Sequence, residues 1–362
     1  MKVNYYSISG YDVHFADNRL SDAGADALRR DPRVAAGNYS YTTLRTHKDG
    51  NLYVGTTHMG NRILWLFDPR TKKFEDLGYA KVGTAYDIKI HRSLEFDPAQ
   101  NVFYGVSSGL HTEQEYYQAP GASIFRFDLA TRAIDPMGIP LPHEYTQTIT
   151  FDPQRRLLYG FTYHTFSFYA FNVDRRETVF RALPGSIAHY VAVDDRGGIW
   201  STWGRNQHYL FRYDPQRNDI EWLHKKFPEG GFSYMYPGAG PIDCMVNGGD
   251  GFLYVALETG ALVRMNPADA TFEYLGRPSP YPRMPGLILG PDGLFYGTCG
   301  DAGHVKVFSF NRSTRGFTIM ADVASGSEHC FRPHDIAIIN KAIYVGETDN
   351  PIRTGYLWEI DL

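Results

Sequence analysis

The stretch GNLYVG at residues 50–55 has six near-copies further along the chain, and what they share decides the fold. They are NVFYGV (101–106), RLLYGF (156–161), GGIWST (197–202), GFLYVA (251–256), GLFYGT (293–298) and KAIYVG (341–346). The pattern is a turn residue, an apolar pair ending in an aromatic, then small residues. A second apolar stretch follows each copy and ends on Asp or Asn, at Asp68, Asp128, Asn172, Asp214, Asn266, Asn311 and Asp361. After the first six come a polar turn and another short strand, such as KFEDLG (73–78) or TFEYLG (271–276). The period is roughly 42–60 residues, and each copy reads as four antiparallel strands.

Seven such units predict an all-β chain, a seven-bladed β-propeller of four-stranded antiparallel blades that bury their faces against their neighbours. The seventh copy reaches Leu362 directly after its third strand. The apolar stretch VNYYSIS (3–9) is therefore expected to supply the missing strand and close the ring by removing an open edge. One domain is expected over residues 1–362, with a short helix at about residues 21–30, Ser21 as its N-cap and Pro32 as its stop. A pair of β-sandwiches would leave seven matched copies without a cause.

Composition agrees. The chain has 26 Tyr, 23 Phe, 36 Gly and 21 Pro, a mix that favours short strands and tight turns over helices. A net charge of −4 without any basic run argues against nucleic acid or an anionic membrane as partner. Three cysteines with no CxxC spacing argue against a disulfide framework or zinc ribbon, and are expected to be small buried residues. The opening MKVNYYSISGYDVHF lacks the apolar core of a signal peptide, and no segment approaches a membrane span. As given, the chain is expected to be cytoplasmic; a mature form that had lost a signal would be secreted or periplasmic.

In a propeller the innermost strands start at the face to which the loops after the second strands return. Sorted by this rule, ten of the 13 histidines fall on one face. His58, His111, His164, His208 and His304 follow second strands, and His91, His143, His189, His329 and His334 precede innermost strands. His14, His47 and His224 fall elsewhere. His91 opens the apparent strand IKIHRSLEFD (88–97), and His111 lies in SSGLHTEQEYYQAPG (107–121) of the same blade, so the two are expected to converge. Arg92 and Arg283 can grip a carboxylate with a bidentate fork. Tyr163 and Tyr145 offer phenolic protons. Tyr116, Tyr117 and Trp203 can stack on sugar rings, although Tyr116 and Tyr117 equally suit loop packing. The plainer reading of such residues is solvation of a water-filled channel. His329, Cys330 and His334 are ligand types that suit zinc, but their spacing fits no standard motif.

The pairing of IHRSLEFD with LHTEQEYY resembles the seven-bladed-propeller polysaccharide lyases, of which ulvan lyases are the best-known type. The strings RLLYGFTYHTFSFYAFN (156–172) and HDIAIINKAIYVGETDNPIRTGYLWEID (334–361) look like the same group. It also holds enzymes that cleave rhamnose–glucuronate linkages by elimination or hydrolysis. The resemblance implies a histidine pair, a tyrosine and a charge-neutralising arginine on one face. His91 and His111 match the pair by spacing and blade, and Tyr163 matches the tyrosine. Arg92, Arg175, Arg212 and Arg283 all stay open for the arginine. The clustered metal-binding histidines of oligogalacturonate lyases have no clean counterpart.

Elimination beside a uronate removes a proton α to a carboxylate. A cation must neutralise that carboxylate, a base must take the proton, and an acid must serve the leaving oxygen. A neutral histidine suits the base. The expectation is therefore a lyase acting on an acidic oligosaccharide or polysaccharide. His91 and His111 are base and partner, Tyr163 the acid, and His189, Arg92 and His334 the supporting shell. No cofactor is required for this chemistry, though a divalent cation stays open. Hydrolysis would more often use two carboxylates astride the bond, and no persuasive pair is visible. A glycoside hydrolase, a metal-dependent lactonase or isomerase and a non-catalytic binding propeller remain alternatives.

Overall fold

The computed structural model describes residues 1–9, 37–109, 117–228, 239–350 and 353–362. The helix expected at about residues 21–30 lies outside the described residues, as do His14, His111 and Tyr116. The seven repeats are the blades of the propeller, and the chain falls into two compact units.

The first unit, Met1–Thr146 with Val323–Leu362, holds three blades. Blade 1 is built from Ser40–Thr46, Leu52–Thr57, Leu64–Asp68 and Lys73–Asp76. Blade 2 is built from Leu94–Asp97, Val102–Val106, Ile124–Asp128 and Ile134–Gly138. Blade 7 runs Arg332–Ile339, Ala342–Thr348 and Leu357–Asp361, and its outer strand is Val3–Tyr6, with Val3 opposite Ile360. The stretch at residues 3–9 thus completes the last blade, as the truncated seventh repeat requires. Tyr6, Tyr344 and Lys72 all bond the Glu359 carboxylate and fix that edge.

The second unit, Gln147–Asp322, holds blades 3 to 6. Three of them are four-stranded, with innermost strands Thr146–Asp152, Ile242–Asn247 and Gly286–Leu289. Blade 4 has three strands, Ile199–Trp203, Tyr209–Asp214 and Asp219–Trp222. Its innermost stretch makes only isolated bridges, Ile187 with Ala239 and Val193 with Ile199. The cause is where its backbone bonds go. The His189 N–H donates to Ile242 O at 3.1 Å, and Ile187 O accepts from the Gly240 N–H at 2.8 Å, so this stretch bonds the start of blade 5.

The recurring Asp or Asn closes each outer hairpin. Asp68, Asp128, Asn172, Asp214, Asn266 and Asn311 each accept, through a side-chain oxygen, the N–H two residues on. Four residues on, Lys72, Arg132, Arg176, Asn218, Ala270 and Arg315 all take left-handed backbone, φ 52 to 60. The same turn is made six times by different residues, which is why the repeat shows in spacing more than in identity.

Among the described residues no helix is long and apolar enough to cross a membrane. All three cysteines are buried, as expected, and none is in a disulfide. Gly55 sets the seat of blade 2 on blade 1. A Cβ there would lie 2.7 Å from Cγ2 of Ile90, so glycine lets the segment carrying His91 press against blade 1.

Candidate functional site

The segment IKIHRS is not the start of a strand, correcting the reading from periodicity. The strand begins at Leu94, and Arg92 turns the chain through left-handed backbone at φ 47, uncommon for a residue with a side chain. Blade 1 holds the kink. Thr42 Oγ1 donates to Ile90 O at 2.6 Å, the Arg92 N–H reaches Thr42 O at 3.3 Å, and Ser93 Oγ donates to His91 O at 2.6 Å.

Two imidazoles meet at this kink. Nε2 of His91 and Nε2 of His334 are 2.6 Å apart, with the rings at 81° and both side chains buried. Nδ1 of His334 lies 2.9 Å from Thr42 O. A carbonyl can only accept, so Nδ1 of His334 carries the hydrogen. With the ring neutral, its Nε2 is then the acceptor and Nε2–H of His91 the donor. That leaves Nδ1 of His91 as the lone-pair nitrogen of the pair. The sequence placed His334 in a supporting role and sought the partner of His91 in His111, which lies outside the described residues; among the described residues the imidazole beside His91 is His334.

Arg92 is 1% exposed and donates to His334 O at 2.7 Å. Its guanidinium faces the protein interior and ties blade 2 to blade 7. Sequence reading missed Lys89, three residues earlier. Its backbone bridges Thr57 on one side and Ser108 on the other, and its side chain is half-buried. Burial lowers its amine from the ordinary 10.5 to about 8, with Asp349 opposing and Arg92 reinforcing the shift. Its ammonium forms no ion pair or hydrogen bond with a described residue. Elsewhere in the same unit Arg45 pairs with Glu95 at 3.0 Å and Asp335 at 2.9 Å, and Arg353 with Glu347 at 2.9 Å. The available signal for Lys89 was a charge flanked by two isoleucines, Ile88 and Ile90, both buried. Glu347 is a structural hub, accepting bonds from Phe331 N, Asn350 Nδ2, Arg353, Tyr356 N and Trp358 Nε1.

The second unit carries a different cluster at the starts of its innermost strands. Arg283 grips Asp243 in a bidentate fork, 2.8 and 2.9 Å, and the Met284 N–H adds a third bond at 3.0 Å. The fork expected for a ligand carboxylate is thus occupied by one from the protein. Burial works against the charge on Arg283, but Asp243, Glu258 and Asp301 outweigh it and hold the guanidinium firmly protonated. His189 is buried with Nδ1 3.6 Å from Asp243 and 3.7 Å from Glu258, a carboxylate the sequence reading did not single out.

Tyr163 packs against the blade 3–4 core beside His164 and Phe166, and burial raises its phenol above the ordinary value. Trp203 is the last residue of a strand rather than part of a loop, and its indole donates to Leu223 O at 3.1 Å. It packs against Tyr209, Trp222 and His224, so His224, sorted away from this end of the blade by sequence, lies at the same end as Trp203. Tyr117 is 80% exposed, its ring 5.8 Å from His143, and Tyr145 is buried. His329 lies exposed on a hairpin, Cys330 is buried and His334 is with His91. Among the described residues no three His, Cys, Asp or Glu side chains gather to hold a metal.

No family model matches the sequence, and no curated protein matches it either. Solved structures do. Virginiamycin B lyase from Staphylococcus aureus is 14% identical with a TM-score of 0.64, covering 99% of both chains. A catalytically inactive histidine-to-alanine variant of that lyase, with quinupristin, is 13% identical with a TM-score of 0.65 over 100% of both chains. A chain of the mitotic checkpoint complex is 10% identical with a TM-score of 0.57 over 89% of this chain and 87% of its own. Such different proteins on one scaffold illustrate that fold does not carry function. Assignment to the polysaccharide lyases is not supported by these likenesses; what they show is the fold, a seven-bladed β-propeller.

Proposed function

We propose that this chain is a lyase that cleaves a uronate-containing oligosaccharide or polysaccharide, rhamnose–glucuronate linkages among the candidates, by β-elimination. The observation that carries the reading is the His91–His334 pair, whose hydrogen bonds run from Thr42 O through His334 and leave the lone pair on Nδ1 of His91. This is the arrangement a general base needs: a ring whose tautomer is set by a second group that is itself anchored. That a virginiamycin B lyase and its inactive histidine variant share the fold is consistent with elimination chemistry on this scaffold.

In this reading Nδ1 of His91 takes the proton α to the uronate carboxylate. The C–H pair becomes the new double bond as the C–O bond to the leaving sugar breaks. The resulting imidazolium keeps its Nε2–H on His334 and returns the captured proton to the leaving oxygen. One ring serves as base and then as acid, so no second acid is required. The product is an unsaturated uronate, which absorbs in the ultraviolet. The test is absorbance over time against a panel of uronate-containing polysaccharides and their fragments, with His91→Ala alongside. A rise on one substrate that is lost in the variant is expected. New reducing ends without absorbance would make the chain a hydrolase, and no product from any substrate would leave a binding propeller.

A further inference from the structure

We infer that Lys89 forms an anion subsite beside the His91–His334 pair and that its ligand is the carboxylate of an acidic sugar. The inference rests on the lyase reading for the identity of the anion and on the structure for the site.

A half-buried ammonium that makes no hydrogen bond or ion pair is costly, and here the pull of the Asp349 charge offsets that cost in part. Arg92, the cation whose charge acts on Lys89, is held by the backbone carbonyl of His334. Arg92 is also inside, whereas Lys89 is partly open to solvent. Of these charges Lys89 is thus the one that a ligand can meet. Its position is fixed from both sides by the backbone bridges to Thr57 and Ser108, and the Ser108 N–H donates to Lys89 O at 2.7 Å. It stands two residues before His91 on the segment that Thr42 anchors. The charged groups acting on it are Asp349 from the blade 7 side and Arg92 on its own segment; the bridged neighbours Thr57 and Ser108 are neutral. Lys89 and Arg92, three residues apart on this segment, bring two positive charges, which suits an anion whose α proton must be made acidic. A carboxylate there would meet Lys89 with a charge-assisted hydrogen bond.

Binding of D-glucuronate, measured by calorimetry or ligand-observed NMR, tests this without turnover, because the monosaccharide has no glycosidic leaving group. Glucose is the neutral control, and Lys89→Met and Lys89→Arg are the variants. Expected are glucuronate binding by the native chain, about tenfold weaker binding in Lys89→Met, substantial retention in Lys89→Arg, and loss of binding as pH rises past 9 in the native chain. Lys89→Arg guards against a folding defect, since it keeps the charge. Equal binding by Lys89→Met, equal binding of glucose, or no binding of glucuronate by the native chain would overturn the subsite. Lys89-dependent binding without any elimination product would keep the subsite and discard the lyase. Elimination undiminished in Lys89→Met would do the reverse.

Discussion

The two polar clusters occupy equivalent places, the starts of innermost strands, and differ in how their charges are settled. In the second unit the positive charge of Arg283 is matched by Asp243 with two short bonds, and a backbone N–H completes the carboxylate. In the first unit the two rings share one N–H···N bond, and Lys89 makes no ion pair or hydrogen bond with a described residue, though Asp349 favours its charge. The first arrangement is closed and fixes a fold; the second is open and has something to offer a ligand. Polar residues at a propeller mouth therefore divide by whether their partners are already inside the protein, a property that residue type alone does not reveal.

If this contrast is right, the largest effect should come from opening the closed cluster. Asp243→Ala strands a buried guanidinium and is expected to cost about 3–5 kcal/mol of stability, read from urea melts. A loss under 1 kcal/mol would mean that Arg283 finds another partner and the cluster is not a lock. His91→Ala should act mainly on catalysis, lowering kcat by a factor of about 10²–10⁴, with a smaller loss of stability, about 1–3 kcal/mol, for the buried bond to His334. Replacing His334 by Gln keeps an anchor for His91 but not a proton-matched ring; a fall in kcat with little change in KM would identify it as a positioning residue.

Lys89 sharpens the comparison through pH. Its folded pKa, about 8, lies below the ordinary 10.5, so between those values the folded chain binds fewer protons than the unfolded one. The native chain's stability should therefore rise with pH across that window relative to Lys89→Met. At neutral pH the variant should be the more stable by about 1–2 kcal/mol, after allowing for partial solvent exposure. A less stable Lys89→Met would show that the lysine stem is needed for packing. The smallest effect is expected at Trp203→Phe: activity within about twofold, with stability lower by about 1 kcal/mol for the lost bond to Leu223 O.

The blades were legible because their signals are local: an aromatic at the end of an apolar pair, then a hairpin closed by Asp or Asn through bonds to its own turn. The outer strand Val3–Tyr6 could be inferred because a sheet edge had to be covered. The innermost stretch of blade 4 misled, since its backbone bonds go to blade 5 and alternation cannot show that. The kink at Arg92 misled likewise, because nothing in HRS marks left-handed backbone. Of the site, His91 stood out as a polar residue at an apolar strand, but its bond to His334 is set by the meeting of two blades and has no sequence spacing to read. Lys89 was passed over, because nothing in IKI shows that its ammonium makes no ion pair.

The His91–His334 bond spans 243 positions of sequence. At ordinary synthesis rates a ribosome needs roughly 10–50 s to travel that distance. During that time His91 exists without the ring that fixes its tautomer, and blade 7, which brings His334, has not been made. A nascent chain can therefore fold its early hairpins without yet possessing the pair, and the proposed chemistry would begin only when the last blade docks.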